Sequence, residues 1–558
     1  MYSVAKNVQI VIALLKAHNV TQLVLSPGGT NAAFVRGVQD DPSFKCYSIV
    51  DERSAMYYAI GLHLATGKIV ATCCTSAQAT RNYIPGLTEA YYRHIPILAI
   101  TFSKHPKFTY QGYMQAPDQT SLPKDSVKKT YSLPYISNIQ DRLMTERMVN
   151  EAILELKHRE CGPVQLNIPM LDTELTLDDT DYLPHVKKIE RFNNKEIVID
   201  NLESKRILII VGENCSIDGI QISKFASSHN AVIYVNNLSN YRGEYTFFGN
   251  LFLSTITQEE FNSFYSPDVL ITIGGQTGDY PLYHKLAACT NNYEHWRIAP
   301  NGDIVDTYDH LTRVYECSCY DFFSESPIRE SIHEYYELFI SNSRKIHTDM
   351  ELPLSYAYIA QQLHNKIQSG SVMHFAILNS LRIWNLFPLN ENVTCFSNVA
   401  AFGIDGCMST FLGHSVETKN LCYLIIGDLA FFYDMNSLAI RYIKNNVRII
   451  LVNNNGGLEF KLGGQAELNK DIDRYIAASG HFKDAEGWAL TNKFVYKAVR
   501  EKEDFINSIP MITKSSKAPI LLEVFTKDLD DSTAYSLLIR QNSKNMVFKR
   551  VVKKLFKK

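Results

Sequence analysis

Apolar positions recur along this chain with two periods. Val4, Val8, Val11 and Leu15 are three or four residues apart, the spacing of one helix face, and the apolar run 23–25 follows as a short strand. Further strands are predicted over 47–50, 69–73 and 95–100, with helices over 54–64 and 83–91 between them. Strand and helix in regular succession predict a parallel sheet covered by helices on both faces, because parallel neighbours need a crossover.

The alternation restarts twice. After the charged stretch 187–195, strands are predicted at 207–211, 232–235 and 269–273. After a polar, helix-like segment at 328–347 it resumes near Leu354, with strands at 393–396, 423–426, 449–452 and 520–524. The expected fold class is α/β, with three consecutive doubly wound parallel-sheet domains at 1–186, 187–350 and 351–540. A tail at 541–558 sets Val547, Phe548, Val551, Val552, Leu555 and Phe556 on one helical face and Lys549, Arg550, Lys553, Lys554, Lys557 and Lys558 on another. It reads either as a solvated end or as a weak membrane-surface contact.

Composition narrows the function classes. Of 558 residues, 46% are hydrophobic and 20% charged, the balance of an ordinary globular protein. With 56 basic against 58 acidic residues there is no overall field to draw nucleic acid, so none is expected as a partner. Apolar runs such as 421–426 fall far short of the ~20 residues that span a bilayer. The first residues lack a secretory pattern, which makes the cytoplasm the expected location. Cys73-Cys74 and Cys317-Ser318-Cys319 lack the paired spacing of a zinc site and read as reduced thiols.

Chemistry concentrates in the third domain. Gly427-Asp428-Leu429, a predicted helix over 431–442, a strand, and Asn453-Asn454-Asn455-Gly456-Gly457 follow one another. Consecutive parallel strands deliver Asp428 and the Asn cluster to one carboxyl edge of the sheet, where open α/β folds bind ligands. A carboxylate, an amide oxygen and a backbone carbonyl are hard donors suited to Mg²⁺, which keeps phosphate oxygens in its remaining positions. Taken singly, Gly427-Asp428 is a helix cap and the Asn-Gly run a turn. In the first domain Glu52 stands between a strand and a helix within Asp51-Glu52-Arg53-Ser54-Ala55, as a capping acid or as a proton-handling group.

In this order the segments resemble the thiamine diphosphate fingerprint of the pyruvate oxidase-like enzymes. More narrowly, Ser26-Pro27-Gly28, Asp51-Glu52-Arg53-Ser54-Ala55, Cys74-Thr75-Ser76, Asn82-Tyr83-Ile84-Pro85, residues 115–119, Gly403-Ile404-Asp405-Gly406 and Gly427-Asp428-Leu429 with Tyr433-Asp434-Met435-Asn436 are similar to motifs of one family. It is the menaquinone-pathway synthase family that makes 2-succinyl-5-enolpyruvyl-6-hydroxy-3-cyclohexene-1-carboxylate. The resemblance implies the pyruvate oxidase/decarboxylase domain arrangement, thiamine diphosphate and Mg²⁺ as cofactors, and a homodimer or homotetramer with sites formed across subunits. It makes Glu52 the cofactor activator and sets Gln115 facing the reacting carbonyl. Asp428, Asn454 and the Gly456 carbonyl become metal ligands. Pro27, Gly427, Leu429 and Ala430 line the cofactor, and Ile404 wedges between its rings. The middle domain, where Gly274-Gly275-Gln276-Thr277-Gly278 forms no dinucleotide fingerprint, is implied to be structural.

Departures from the family gather at the substrate positions. The family's Ser-Arg after Ser-Pro-Gly is Gly29-Thr30 here, and its Asp-Arg-Pro is Lys104-His105-Pro106. Its Thr-Gly-Lys-Arg is Thr277-Gly278-Asp279-Tyr280, and its arginines after Ser380 and after Ser397-Asn398 are Trp384 and Val399. Those basic groups hold the carboxylates of isochorismate and 2-oxoglutarate in the resembled enzymes, so their loss predicts less acidic substrates. Lys104, Arg382 or Arg81 could restore one anchor. Thr30, Gln78, His105, Ser380, Trp384 and Val399 are the expected substrate-facing positions. The leading expectation is a decarboxylase or carboligase for a small 2-oxo acid such as pyruvate, with an unspecified acceptor carbonyl. The synthase itself, and a catalytically inactive cofactor-binding scaffold, are the alternatives.

Overall fold

The computed structural model describes the chain except residues 1, 93, 160, 171–178, 194–198, 200–201, 214–218, 326–331, 400–401, 405, 417, 463–472 and 556–558, and the side chains of 54, 57, 61, 64, 65, 179, 193, 473 and 544–555. The apolar and basic faces expected of the tail, and Asp405, lie outside the described residues. The chain forms two compact units, Met1–Arg191 with Ile304–Val314 and Phe192–Asp303 with Tyr315–Lys558. Between them they carry three main sheets.

In the first unit, β1 (Gln22–Leu25), β2 (Lys45–Ser48), β3 (Val70–Cys74), β4 (Ile97–Lys104), β5 (Lys129–Ser132) and β6 (Val164–Met170) are ordered β2-β1-β3-β4-β6-β5. All pair in parallel. Successive residues of a strand face opposite sides, so Leu23, Leu25, Ala71 and Cys73 enter one apolar core while Val24, Val70 and Cys74 enter another. That double burial is why these strands read as continuous apolar runs. Helix α1 (Glu52–Thr66) is capped by the Asp51 carboxylate, which accepts from the Arg53 N–H, and ends at Gly67 with φ 67°. A short α2 (Gln78–Asn82) follows β3 through Ala77, whose φ of 68° and ψ of −119° are uncommon for a residue with a side chain.

The second unit holds one whole sheet and most of another. One has seven strands, five of which, β7 (Ile207–Val211), β8 (Ala231–Val235), β9 (Thr246–Phe248), β10 (Val269–Ile273) and β11 (Glu294–Ile298), run β9-β8-β7-β10-β11 in parallel. The turns after β7 and β10 press together, so a Cβ at Gly212 would stand 1.9 Å from the Gly275 carbonyl oxygen. Glycine is required there by packing of backbone on backbone. Helix α3 (Tyr280–Ala287) starts at Asp279, which accepts from the Leu282 N–H.

The third sheet has β12 (Val372–Phe375), β13 (Thr394–Ser397), β14 (Cys422–Gly427), β15 (Val447–Asn453), β16 (Val495–Val499) and β17 (Ile520–Phe525), ordered β13-β12-β14-β15-β17-β16 and all parallel. This is the strand order of the first sheet. Again the faces divide, Met373, Phe375, Tyr423 and Ile425 into one core and Val372, Cys422, Leu424 and Ile426 into the other. Short helices α4 (Asn379–Trp384) and α5 (Asp428–Tyr433) follow β12 and β14, and α6 (Asp528–Leu555) closes the chain. Among the described residues no helix is long and apolar enough to cross a membrane.

The α/β class with three parallel sheets is as the periodicity predicts, and two differences have physical causes. The helix expected over 431–442 stops at Tyr433, where Asp434 turns its carboxylate to the Ser409 N–H and hydroxyl, each at 2.7 Å, and a 3₁₀ turn follows. Strand β6 lacks a continuous apolar run because the buried Val164, Leu166 and Ile168 alternate with Gln165 and Asn167. Their amides are satisfied by Thr101 Oγ1 and the Gln119 carbonyl, and by Ser103 and Ser132 hydroxyls, all within 3.2 Å.

Candidate active site

In the second unit, β14 and β15 are neighbours and end level with one another, Gly427 opposite Val452. Their continuations therefore meet. Asp428 is 2% exposed. Its Oδ1 accepts from the Leu429 N–H at 2.7 Å, and its Oδ2 accepts from the Gly456 N–H at 3.0 Å. Burial pushes this carboxyl above the ordinary carboxylate range, and those hydrogen bonds oppose the push. A buried carboxylate at a convergence of turns is a strong site for a cation.

Asn454 is oriented from behind. Its Nδ2 donates to Asp531 Oδ2 at 3.0 Å, while the same carboxylate accepts from the Thr526 hydroxyl at 2.8 Å and the Tyr356 N–H at 2.7 Å. A carboxylate can only accept here, which assigns the amide nitrogen to Asp531 and leaves the Asn454 Oδ1 lone pairs for another partner. Asp531 is wholly buried, and that burial raises its carboxyl to about 6. Asn453 instead serves the scaffold, donating to Glu523 Oε1 and the Lys483 carbonyl. Asn455 takes φ 64°, a left-handed conformation that Asn tolerates, and so turns the chain into Gly456.

Two glycines keep this corner open. A Cβ at Gly456 would lie 2.8 Å from Ser479 Oγ, and one at Gly427 would lie 2.8 Å from Tyr356 Oη. Leu429 is half-buried, Ala430 is buried, and Ile404 packs on the core cluster that contains Ala430. Ser380 is buried and hydrogen-bonds Tyr356, the side chain that faces Gly427. The structure thus gathers Asp428, Leu429, Asn454 and Gly456 tightly, with Ser380 one side chain removed.

His481 is a member that sequence reasoning missed. Its Nδ1 accepts from the Lys483 N–H at 3.0 Å, so in the neutral ring Nε2 carries the proton and donates to Asp428 Oδ2 at 3.0 Å. No motif announced it, although Gly480, with φ 84°, marks the turn that aims it. Asp531 was missed for a different reason: it lies in a helix far along the chain from the residue it orients.

In the first unit, Glu52 is half-buried at the first turn of α1 and accepts from Asn82 Nδ2 at 3.2 Å. Thr30 is buried, its hydroxyl 2.5 Å from Thr75 Oγ1 and accepting from the Ser76 N–H at 3.0 Å, so it braces the loops after β1 and β3. Pro27 is exposed on the first of those loops and Gln78 at the start of α2. His105 caps a short turn through the Lys107 N–H and meets the Tyr135 ring edge-on. Gln115 is exposed, at φ 57°. Gln119, unremarked as an individual residue, is the buried organiser of this edge. It accepts from the Ala77 N–H at 2.8 Å and donates to the Phe102 carbonyl at 2.9 Å.

The remaining substrate-position departures sit in packing. Trp384 is fully buried beside Phe375, and Val399 is 1% exposed against the turn at Gly278. Asp279 is buried as the α3 cap, with Tyr234 donating to it at 2.5 Å.

Residues 6–122 match the family described as Thiamine pyrophosphate enzyme, N-terminal TPP binding domain. Over 552 residues the chain is 31% identical to 2-succinyl-5-enolpyruvyl-6-hydroxy-3-cyclohexene-1-carboxylate synthase of Bacteroides thetaiotaomicron, covering 95% of this chain and 98% of that one. The synthase of Bacteroides fragilis is 30% identical over 95% and 98% of the two chains, and that of Flavobacterium psychrophilum 28% over 93% and 95%. These matches overturn the leading expectation of a pyruvate-type decarboxylase or carboligase, since the relatives that align end to end carry the synthase name. The error has a structural source: Trp384, Val399 and Asp279 are accounted for by core packing and capping, so they do not report the charge of a substrate. This chain is a thiamine diphosphate-dependent enzyme, and it belongs to the 2-succinyl-5-enolpyruvyl-6-hydroxy-3-cyclohexene-1-carboxylate synthase family.

Proposed function

We propose that this enzyme carries out the synthase reaction for which its relatives are named, joining a unit derived from 2-oxoglutarate to isochorismate with loss of CO₂. The observation that carries the reading is the Asp428, Asn454 and Gly456 corner in a chain that aligns end to end with those synthases. The donor set fits Mg²⁺: one buried carboxylate, one amide oxygen whose nitrogen is already engaged, and one backbone carbonyl. Gly427, Leu429 and Ala430, at the start of α5, would line the diphosphate, as the family resemblance implies.

Thiamine diphosphate, when bound, supplies a thiazolium carbon that turns the carbonyl carbon of a 2-oxo acid into a nucleophile. The protein's own part is positioning and proton handling. Glu52 would hold and exchange a proton at the aminopyrimidine, and Asn82 fixes the direction of its carboxylate. Asp531 keeps the Asn454 oxygen turned toward the metal position. His481 holds the Asp428 carboxylate in place, and a divalent cation would take over the charge that burial leaves poorly compensated. Pro27 and Ile404 would border the cofactor, and Gln115 would approach the reacting carbonyl. A homodimer is proposed as the active unit, from the family resemblance. Sedimentation of a fully active monomer would remove that part.

The direct test supplies purified protein with thiamine diphosphate, Mg²⁺, 2-oxoglutarate and isochorismate and follows CO₂ release and the mass of the product. Formation of the succinylated cyclohexene carboxylate is expected. A protein that binds the cofactor but leaves both substrates unchanged would refute the proposal.

A further inference from the structure

Arg382 and Glu459 come from opposite sides of β14. In the sheet, β12 and β15 flank β14, with Arg382 in α4 after β12 and Glu459 in the short turn Leu458–Lys461 after β15. Arg382 Nη2 donates to Glu459 Oε1 at 2.7 Å. The pair therefore meets across the carboxyl end of β14, the end that carries Gly427 and Asp428. Its side chains are 13% and 23% exposed, and the guanidinium lies 4.6 Å from the centre of the Tyr280 ring. Tyr280 in turn meets Phe402 edge-on at 6.1 Å.

One atom of this cluster is unanswered. Glu459 Oε2 is buried and has no hydrogen-bond partner among the described residues. A buried carboxylate oxygen without a donor is costly, so a bound group that donates to it would be favoured there. The chemistry of that something is constrained. A second carboxylate would face Oε2 and be repelled, and the Arg382 charge is already answered by Oε1 at 2.7 Å. An ammonium group would face the guanidinium. A neutral group that both donates and accepts satisfies the pair, and a hydroxyl does so with one oxygen.

We propose that Glu459 and Arg382 together recognise a hydroxyl group of the acceptor substrate, Glu459 Oε2 accepting from its O–H and the Arg382 guanidinium donating to its oxygen. For the acceptor's identity the proposal rests on the synthase reading above, isochorismate having one ring hydroxyl. It assigns Glu459 a specificity-determining role, and it leaves Tyr280 as the surface against which the guanidinium is held.

The test measures binding and turnover separately on the protein loaded with thiamine diphosphate and Mg²⁺. Calorimetry compares isochorismate with the hydroxyl-free aromatic ether formed by its dehydration, for wild type, Glu459→Gln and Glu459→Ala. Wild type should bind isochorismate about 10-fold or more tightly than the ether, and Glu459→Ala should lose most of that preference, because the hydrogen bond to the Glu459 carboxylate is gone and only the Arg382 contact remains. Glu459→Gln should fall between them and raise KM for isochorismate, with thiamine diphosphate affinity within about 2-fold of wild type in both variants. Equal preference for the two ligands in wild type, or an unchanged preference in Glu459→Ala, would overturn the assignment. Joint loss of cofactor affinity in both variants would also overturn it, by showing a structural role. If wild type discriminates the hydroxyl through Glu459 yet forms no product, the synthase reading fails while this one stands.

Discussion

The first and third sheets arrange six strands in the same spatial order, yet the acidic groups at their carboxyl ends live under opposite conditions. Glu52, after β2, is half-buried and touched by one amide, Asn82. Asp428, after β14, is 2% exposed and receives three hydrogen bonds, from Leu429, Gly456 and His481. Equal topology thus carries two kinds of group. One is a buried carboxyl held by three donors. The other is a half-buried carboxyl held by one amide. Burial decides which, because desolvation raises the cost of charge and surrounding donors fix geometry.

This contrast can be broken by mutation, and the largest effect belongs to Glu52. Glu52→Gln keeps shape but removes the exchangeable proton, so turnover should fall by about 10²–10⁴-fold with thiamine diphosphate still bound. A rate within a few-fold of wild type in a stopped-time CO₂ assay would remove Glu52 as activator. Asp428→Ala should fail differently, weakening cofactor binding by more than the roughly 10–100-fold typical of losing a supporting contact around a metal. Titration of tryptophan fluorescence with thiamine diphosphate and Mg²⁺ reads this, and unchanged affinity would move the metal elsewhere.

A third contrast sits inside the strands. The third residue of β1 is Val24, whereas the third residue of β12 is His374, buried against Phe396, Phe411 and His414, with its Nε2 2.9 Å from His414 Nδ1. Burial, and then the neighbouring His414, hold His374 down at about 3. A histidine whose folded pKa is depressed contributes stability above its unfolded pKa and loses it as pH falls toward the folded value. Stability should therefore drop from about pH 6.5 down toward 3, at no more than about 1.4 kcal/mol per pH unit for this group. His374→Val, which copies the first sheet, should flatten that slope in urea titrations at pH 7 and pH 5. An unchanged slope would place the acid sensitivity in another group.

The smallest expected effect concerns backbone strain. Three residues past the third strand of the first sheet, Ala77 has φ 68°, and three past the first strand of the third sheet, Leu378 has φ 63°. Ala77→Gly should relieve that conformation and stabilise the protein by about 1 kcal/mol, within the usual range for such sites and reduced by glycine's greater unfolded-state freedom. A destabilised variant would show that the Ala77 methyl packs more than its backbone strains.

Much of this was legible beforehand because it is local. Gly427-Asp428 and Asn454-Gly456 were readable since each lies beside a strand end, and parallel order brings strand ends together. His481 and Asp531 were not, because their partners are distant in sequence and a single His or Asp in a loop or helix carries no periodic signal. The substrate positions misled for the same reason. A residue type at an aligned position says nothing about where its side chain points, and Trp384 turned into the core.

By itself the amino-acid sequence determined the α/β class, the three parallel sheets and the cofactor family, since apolar period and strand-end motifs are properties of short segments. Only the tertiary structure decided which polar groups are buried, which are oriented and which are left over. Asp531 turning the Asn454 amide, and Glu459 keeping one oxygen without a partner, follow from elements that meet across the sheet edge. Desolvation acts on atoms through everything packed around them, and that surrounding exists only after the chain has folded.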